Sequence, residues 1–220
     1  MGLPVPRLAP AALLLVLLSA TTVGCGRTGS TAFGGYTRSP LPDVSSVSVP
    51  VVGGPGGDAL TAAPGGLRLV FFGFTSCPDV CPTTLAVLRA ALAELDPADR
   101  ARVGVDVVTV DPERDDAAQL VEYVGRFVPD ATAHRTEDTT VLRAALEAFG
   151  SDVTVGSGPD GRPEVSHTGD VSVVDDAGRV VLAWPAGTPA DSVADDLRRL
   201  LAGERPAVDT DLGSDTGRGG

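Results

Sequence analysis

The most reactive side chains of this 220-residue chain sit in one run, Gly73-Phe74-Thr75-Ser76-Cys77-Pro78-Asp79-Val80-Cys81-Pro82-Thr83-Thr84-Leu85. Cys77 and Cys81 are four positions apart. On a helical turn that spacing puts their Cα atoms about 6 Å apart, a separation a disulfide tolerates. The same separation lets two thiolates grip one metal ion. The pair is therefore equipped for two chemistries, and a third group has to decide between them. The chain offers two histidines for that purpose, His134 and His167, and one further cysteine, Cys25, far from the pair.

The surroundings of the pair read as a strand running into a helix. Leu67 to Phe74 (LRLVFFGF) is a short apolar run fit for a buried strand. Pro82 to Leu95 carries Leu85, Leu88, Leu92 and Leu95 at helical spacing, with Pro82 suited to the first turn. Both sulfurs thus belong to a strand's C-terminal end and a helix N-terminus, where unpaired N–H groups favour thiolates. Val103 to Val110 is a second buried strand. Asp115 or Asp116 caps a helix running to Phe127, with Gln119 completing a capping box after Asp116. Thr139 to Phe149 is another helix. Val171 to Asp175 and Arg179 to Trp184 form a hairpin across Asp176-Ala177-Gly178, and Pro189 to Leu201 closes the chain as a helix.

The order β-α-β-α-α-β-β-α predicts an α/β chain of thioredoxin-like fold, a central mixed β-sheet flanked by helices. In that fold the loop before Val171, which holds His167, faces the helix terminus that carries the cysteines. His134 instead falls in a connection between helices. A lone loop histidine is ordinarily a solvated surface residue; the predicted place of His167 beside the cysteines favours a functional one.

Composition removes several function classes. The formal net charge is −12, and all 17 basic residues are Arg. Nucleic acid is a poor partner for so acidic a chain, because phosphate contacts need a clustered basic surface. Charge alone does not hold it on an anionic membrane either. The 27 Gly and 18 Pro concentrate toward the ends. Gly26 to about Gly66 is rich in Gly, Ser, Thr and Pro, and reads as a tether followed by irregular lead-in strands. Val47 to Val52 is an edge strand in this reading, since Pro50 is unsuited to a central one. Gly203 to Gly220 reads as a disordered tail.

At the N-terminus, Arg7 precedes the apolar run Ala11 to Leu18. That run is far short of the about 20 residues a bilayer span takes. A basic start, a short apolar core and then small residues is the order of a secretory signal. Thr22-Val23-Gly24-Cys25 resembles the lipobox of bacterial lipoproteins, in which the Cys is lipidated and becomes the new N-terminus. The expected partition is therefore a signal peptide (1–24), a flexible tether and lead-in (25–66), one thioredoxin-like domain (67–202) and a tail (203–220). Several acyl chains on Cys25 suffice for stable anchoring. Export also takes the Cys pair to a compartment where it can be oxidised.

Three blocks of the chain together resemble the Sco/SenC family of copper-delivery proteins. They are Gly73 to Leu85, Asp111-Pro112-Glu113-Arg114-Asp115, and Ser166-His167-Thr168, in matching order and spacing across roughly Leu67 to Leu201. The resemblance implies a thioredoxin-like domain held at the extracytoplasmic face of the cell membrane. It implies Cu(I) or Cu(II) bound through Cys77, Cys81 and His167, with a Cys77–Cys81 disulfide in the oxidised form. Its implied partners are a copper donor protein and the copper-centre subunit of cytochrome c oxidase. The implied task is assembly of that centre by copper delivery, by reduction of the target's cysteines, or both. Asp111 is either a residue near the copper site or merely the end of a strand, and stays off the ligand set.

Other readings compete on the residues themselves. An extracytoplasmic thiol–disulfide oxidoreductase needs the Cys pair but has no use for an imidazole beside it. A peroxiredoxin-type peroxidase needs a Thr three positions before its reactive Cys, where this chain has Phe74. Structural zinc takes four ligands and only three are in view. Two soft thiolates and one imidazole suit copper, and Cu(I) is content with three donors.

Overall fold

The computed structural model describes residues 2, 32–151, 153–157, 163–167 and 169–207, with 153–157 and 163–167 described by their backbone alone. The expected signal peptide, Cys25 and most of the tail lie outside the described residues. The fold below is that of the described residues from 32 onward.

In chain order the elements are β1 (Ser48–Pro50), β2 (Gly57–Ala59), β3 (Leu67–Gly73), α1 (Val80–Ala93), α2 (Pro97–Arg100), β4 (Val103–Thr109), α3 (Ala117–Phe127), β5 (Thr132–His134), α4 (Thr139–Phe149), β6 (Val153–Ser157), β7 (Pro163–His167), β8 (Val171–Val174), β9 (Val180–Trp184) and α5 (Ala190–Leu201). Five strands make the central sheet in the order β5-β4-β3-β8-β9. β3, β4 and β5 run parallel, while β8 and β9 are antiparallel to their neighbours. The parallel start and antiparallel end match the sequence-based expectation. Leu69, Val70 and Phe71 have no solvent exposure. Successive strand residues face opposite ways, so a run like this requires both faces of the sheet to be covered. α1 packs against α3 and α5.

The long elements fall where periodicity put them, and the differences are local. α1 starts at Val80, two residues before Pro82. The first helical N–H groups have no acceptor within the helix, so a proline at the third position removes nothing. Asp116 caps α3 by accepting from the N–H groups of Ala118 and Gln119, which leaves Asp115 for another purpose. His134 lies in β5, where the sequence predicts only a connection between helices. The Gly-rich stretch before Val171 is bracketed by a hairpin, β6 and β7, so His167 ends a strand instead of sitting in a loop.

The lead-in is more ordered than its composition suggests. β1 and β2 pair with each other, and Val44, Val49 and Leu60 are fully buried. The buried carboxylate of Asp196 takes the N–H groups of Gly34 and Gly35 together with the Trp184 indole N–H. Tyr36 bridges Ala183 and Asp43 bridges Arg179, along and just ahead of β9; Val51 bridges His134 on β5. The segment therefore lies against both outer strands of the sheet.

Candidate metal centre

β3 delivers the cysteines. Its last residue, Gly73, lies so close to the Cys pair that an added Cβ would stand 3.3 Å from Cys81 Sγ and 2.7 Å from Phe71 Cε1. A side chain here would push on the Phe71 ring first and crowd the sulfur second. Phe74 is buried, the chain turns, and α1 starts with Val80-Cys81. The N–H of Cys81, in the first helical turn, donates to Cys77 Sγ at 3.3 Å. Asp79 stands at the cap position but makes no side-chain cap bond, so the Cys77 sulfur occupies that role. Both cysteines are reduced; Cys77 is half-buried and Cys81 fully buried. Burial, and then the hydrogen bond with Cys77, push the Cys81 thiol well above the ordinary thiol range. Removing its proton needs a compensating positive charge.

A buried carboxylate holds this loop. Asp115, with no solvent exposure, accepts from the Thr75 N–H at 3.1 Å, from the Thr75 hydroxyl, and from the Thr109 hydroxyl at the end of β4. It thereby ties the segment two residues before Cys77 to the neighbouring strand. The Arg135 guanidinium clamps the same region, donating to the carbonyls of Asp115 and Pro112, both at 2.8 Å. Asp111 pairs with Arg114 and its backbone carbonyl takes the Asp115 N–H at 2.9 Å. Asp111 thus closes the turn in which Asp115 sits. Sequence reasoning offered Asp115 only as a helix cap. The signal available was the doublet Asp115-Asp116: one cap needs one carboxylate, and the second was free for the interior.

Tyr123 is the other residue that sequence reasoning missed. Its hydroxyl is buried and has no hydrogen-bond partner among the described residues. Burial first, then the charges of Cys81, Cys77 and Asp115, push the phenol above its ordinary range, so it keeps its proton.

His167 is the last residue of β7, opposite Val153. Four residues later β8 begins at Val171, which pairs with Phe71 near the end of β3 from which the Cys loop departs. The backbone of His167 is therefore four residues from the same end of the sheet as the cysteines; its side chain lies outside the described residues. His134 is elsewhere. It is fully buried two strands away from β3, with Nδ1 3.0 Å from the Val49 carbonyl and Nε2 3.4 Å from Asp106. Among the described residues no group of three His, Cys, Asp or Glu side chains is arranged to hold a metal. Cys77 and Cys81 supply two soft donor atoms at this end of the sheet.

The family model described as SCO1/SenC matches residues 60–202 of the chain. The chain belongs to the SCO1/SenC family. A protein of Stutzerimonas stutzeri named a putative copper-binding protein is 30% identical over 138 residues, 63% of this chain and 67% of that one. The solution structure of apo Sco1 from Thermus thermophilus is 32% identical at a TM-score of 0.67, covering 78% of this chain and 99% of that one. The structure of Bradyrhizobium japonicum ScoI with copper bound is 26% identical at a TM-score of 0.59, covering 70% and 96%. The SCO1/SenC match starts at residue 60, so it includes the Cys loop, the Asp111–Asp115 turn and His167, but not the lead-in before Leu60. The thioredoxin-like fold expected from the order of elements is the fold of these structural neighbours.

Proposed function

We propose that this chain carries copper for the assembly of the cytochrome c oxidase copper centre, binding the ion through Cys77, Cys81 and His167. The observation that carries the reading is the pair of reduced thiols at the strand–helix junction, one half-exposed and one buried. Support comes from the copper-bound Bradyrhizobium neighbour and the putative copper-binding Stutzerimonas relative. The half-exposed Cys77 meets the incoming ion first, and Cys81 closes on it from inside. Because Cys81 is held above the ordinary thiol range, copper has to displace its proton. Affinity should therefore fall as pH falls. His167 completes three-coordination, enough for Cu(I) and a minimum for Cu(II).

In this proposal a lipidated Cys25 tethers the domain to the extracytoplasmic face of the membrane, where a copper donor protein loads it and the oxidase subunit unloads it. The test is His167→Ala in the reduced chain. Cu(II) affinity should drop strongly and the thiolate charge-transfer absorption should change, while the Cys77–Cys81 disulfide still forms on oxidation. Unchanged Cu(II) binding and absorption would remove His167 from the ligand set.

The exposure of Cys77 also favours a second reading, thiol–disulfide exchange. Cys77 would attack a target disulfide and Cys81 would resolve the mixed disulfide. The target would end as two thiols and this chain as the Cys77–Cys81 disulfide.

A further inference from the structure

A guanidinium is suited to carboxylates and phosphates, which its planar fork meets with two parallel bonds. Arg135 uses its fork on backbone instead. Nε donates to the Asp115 carbonyl and an Nη to the Pro112 carbonyl, both at 2.8 Å. Its one ion pair is with the exposed Glu137, at 2.6 Å. Both carbonyls belong to the turn that the Asp115 N–H closes on the Asp111 carbonyl. Donors fixed in one plane hold two such carbonyls at once, which a flexible ammonium does not.

The load on that turn gives the bracket its reason. The buried Asp115 carboxylate takes the N–H and hydroxyl of Thr75 and the hydroxyl of Thr109. Thr75 stands two residues before Cys77. Arg135 is itself anchored at this end of the sheet. β5 and β4 pair as far as His134 and Val108, so Arg135 and Thr109 each stand one residue beyond the last pair. The Arg135 N–H donates to the Pro50 carbonyl of the lead-in at 3.0 Å, and the Val52 N–H donates to the Ala133 carbonyl at 2.9 Å. An unbroken series of bonds therefore runs from the lead-in through Arg135 and Asp115 to the loop that presents Cys77.

We infer that Arg135 is a positioning residue of the copper site, the bracket by which β5 and the lead-in hold the Cys77 loop in place. The inference rests on the copper reading above. A metal site loses affinity when the groups that fix its ligands are removed, even though they never touch the ion.

The experiment is Arg135→Met in the full reduced chain, with Arg100→Met as its control. Arg100 donates to the Val103 carbonyl at 2.8 Å and pairs with Asp130, at the opposite end of β4 from Thr109. Each variant loses a carbonyl contact and an ion pair, but only one loses the bracket. Amide exchange is read without metal, and cupric chloride is then titrated in anaerobically. Arg135→Met should exchange its Thr75 amide faster than the parent. Its copper affinity should fall about 5-fold, less than the about 10-fold that marks loss of a direct outer partner. Its thiolate-to-Cu(II) charge-transfer band should weaken per bound ion, because a Cys77 sulfur held less firmly overlaps the metal less well. Arg100→Met should match the parent in all three. If Arg135→Met does not fold, Arg135→Lys, which keeps the charge without the fork, is judged by the same readouts. If affinity and band stay at the parent's values, the inference is wrong and the copper reading stands, whatever the Thr75 amide does. If Arg100→Met weakens copper binding as much, the effect is one of general stability and the inference falls. If the parent takes up no copper, the copper reading falls and the inference with it.

Discussion

Arg68, Asp106 and His134 cluster in the body of the sheet, while Cys77, Cys81, Asp115 and Tyr123 gather at its end. Both clusters are rich in groups that titrate or bind metals, yet only one is arranged for chemistry. Asp106 has no exposure and is paired with Arg68 at 2.8 Å; His134 has one ring nitrogen on a backbone carbonyl and the other facing Asp106. Every charge there is matched from within. At the sheet's end the balance is left open: the Cys81 thiol is pushed up, the Tyr123 hydroxyl has no partner among the described residues, and Cys77 reaches solvent. Residue type does not distinguish a site from a scaffold here. What distinguishes them is that the sheet-body charges are paired from within, although Arg68 Nε and His134 Nε2 also lack hydrogen bonds among the described residues, whereas the cysteine pair opens toward solvent.

Asp106→Ala should break that contrast most forcefully if it is mistaken. It leaves Arg68 without its buried partner, and one-sided loss of a buried ion pair costs about 3 kcal/mol or more. Urea unfolding should show the loss, while copper bound per folded chain stays at the parent's value. A fall in copper stoichiometry among folded molecules would mean the two clusters are coupled. Asp115→Ala should come next, at about 2 kcal/mol for donors left unpaired beside a lost carboxylate. Unlike Asp106→Ala it should also weaken copper binding by about 10-fold or more, because Asp115 holds the loop two residues before Cys77. Isothermal titration of the folded variant reads that difference. The smallest effect belongs to Tyr36→Phe. Its hydroxyl donates to Asp170, three residues past His167, at 2.5 Å. Losing this half-exposed bond should cost at most about 1 kcal/mol and change copper affinity only a few-fold, with Cu(II) more sensitive than Cu(I).

The sequence disclosed the parts of the fold that repeat a period. β3, β4, α1, α3, α4 and the β8–β9 hairpin are long enough for apolar spacing to declare them. β5 is three residues long at the end of the parallel half of the sheet, too short to show any period, so His134 was placed in a connection. The lead-in escaped for a different reason. Val44, Val49 and Leu60 are isolated apolar residues among Gly, Pro and Ser, and only the tertiary structure makes them core. At the candidate site the cysteines were legible because their spacing alone implies chemistry. Asp115 and Arg135 were not, since both act through partners distant in sequence: Thr75 lies 40 positions from Asp115. A carboxylate's neighbours across a sheet leave no local pattern to read.

The path of residues 33–52 has a colloidal consequence. An open five-stranded sheet offers two rows of unpaired backbone groups, each a template for another chain. Here Tyr36 and Asp43 shield the β9 side and Val51 shields β5, with the Val52 N–H on the Ala133 carbonyl and the Arg135 N–H on the Pro50 carbonyl. A chain cut to begin at Leu60, where the family match starts, would keep the cysteines and the sheet but lose both shields. Such a fragment would self-associate edge to edge as its concentration rose. By covering both outer strands, the lead-in should keep neighbouring copies of the sheet from pairing edge to edge.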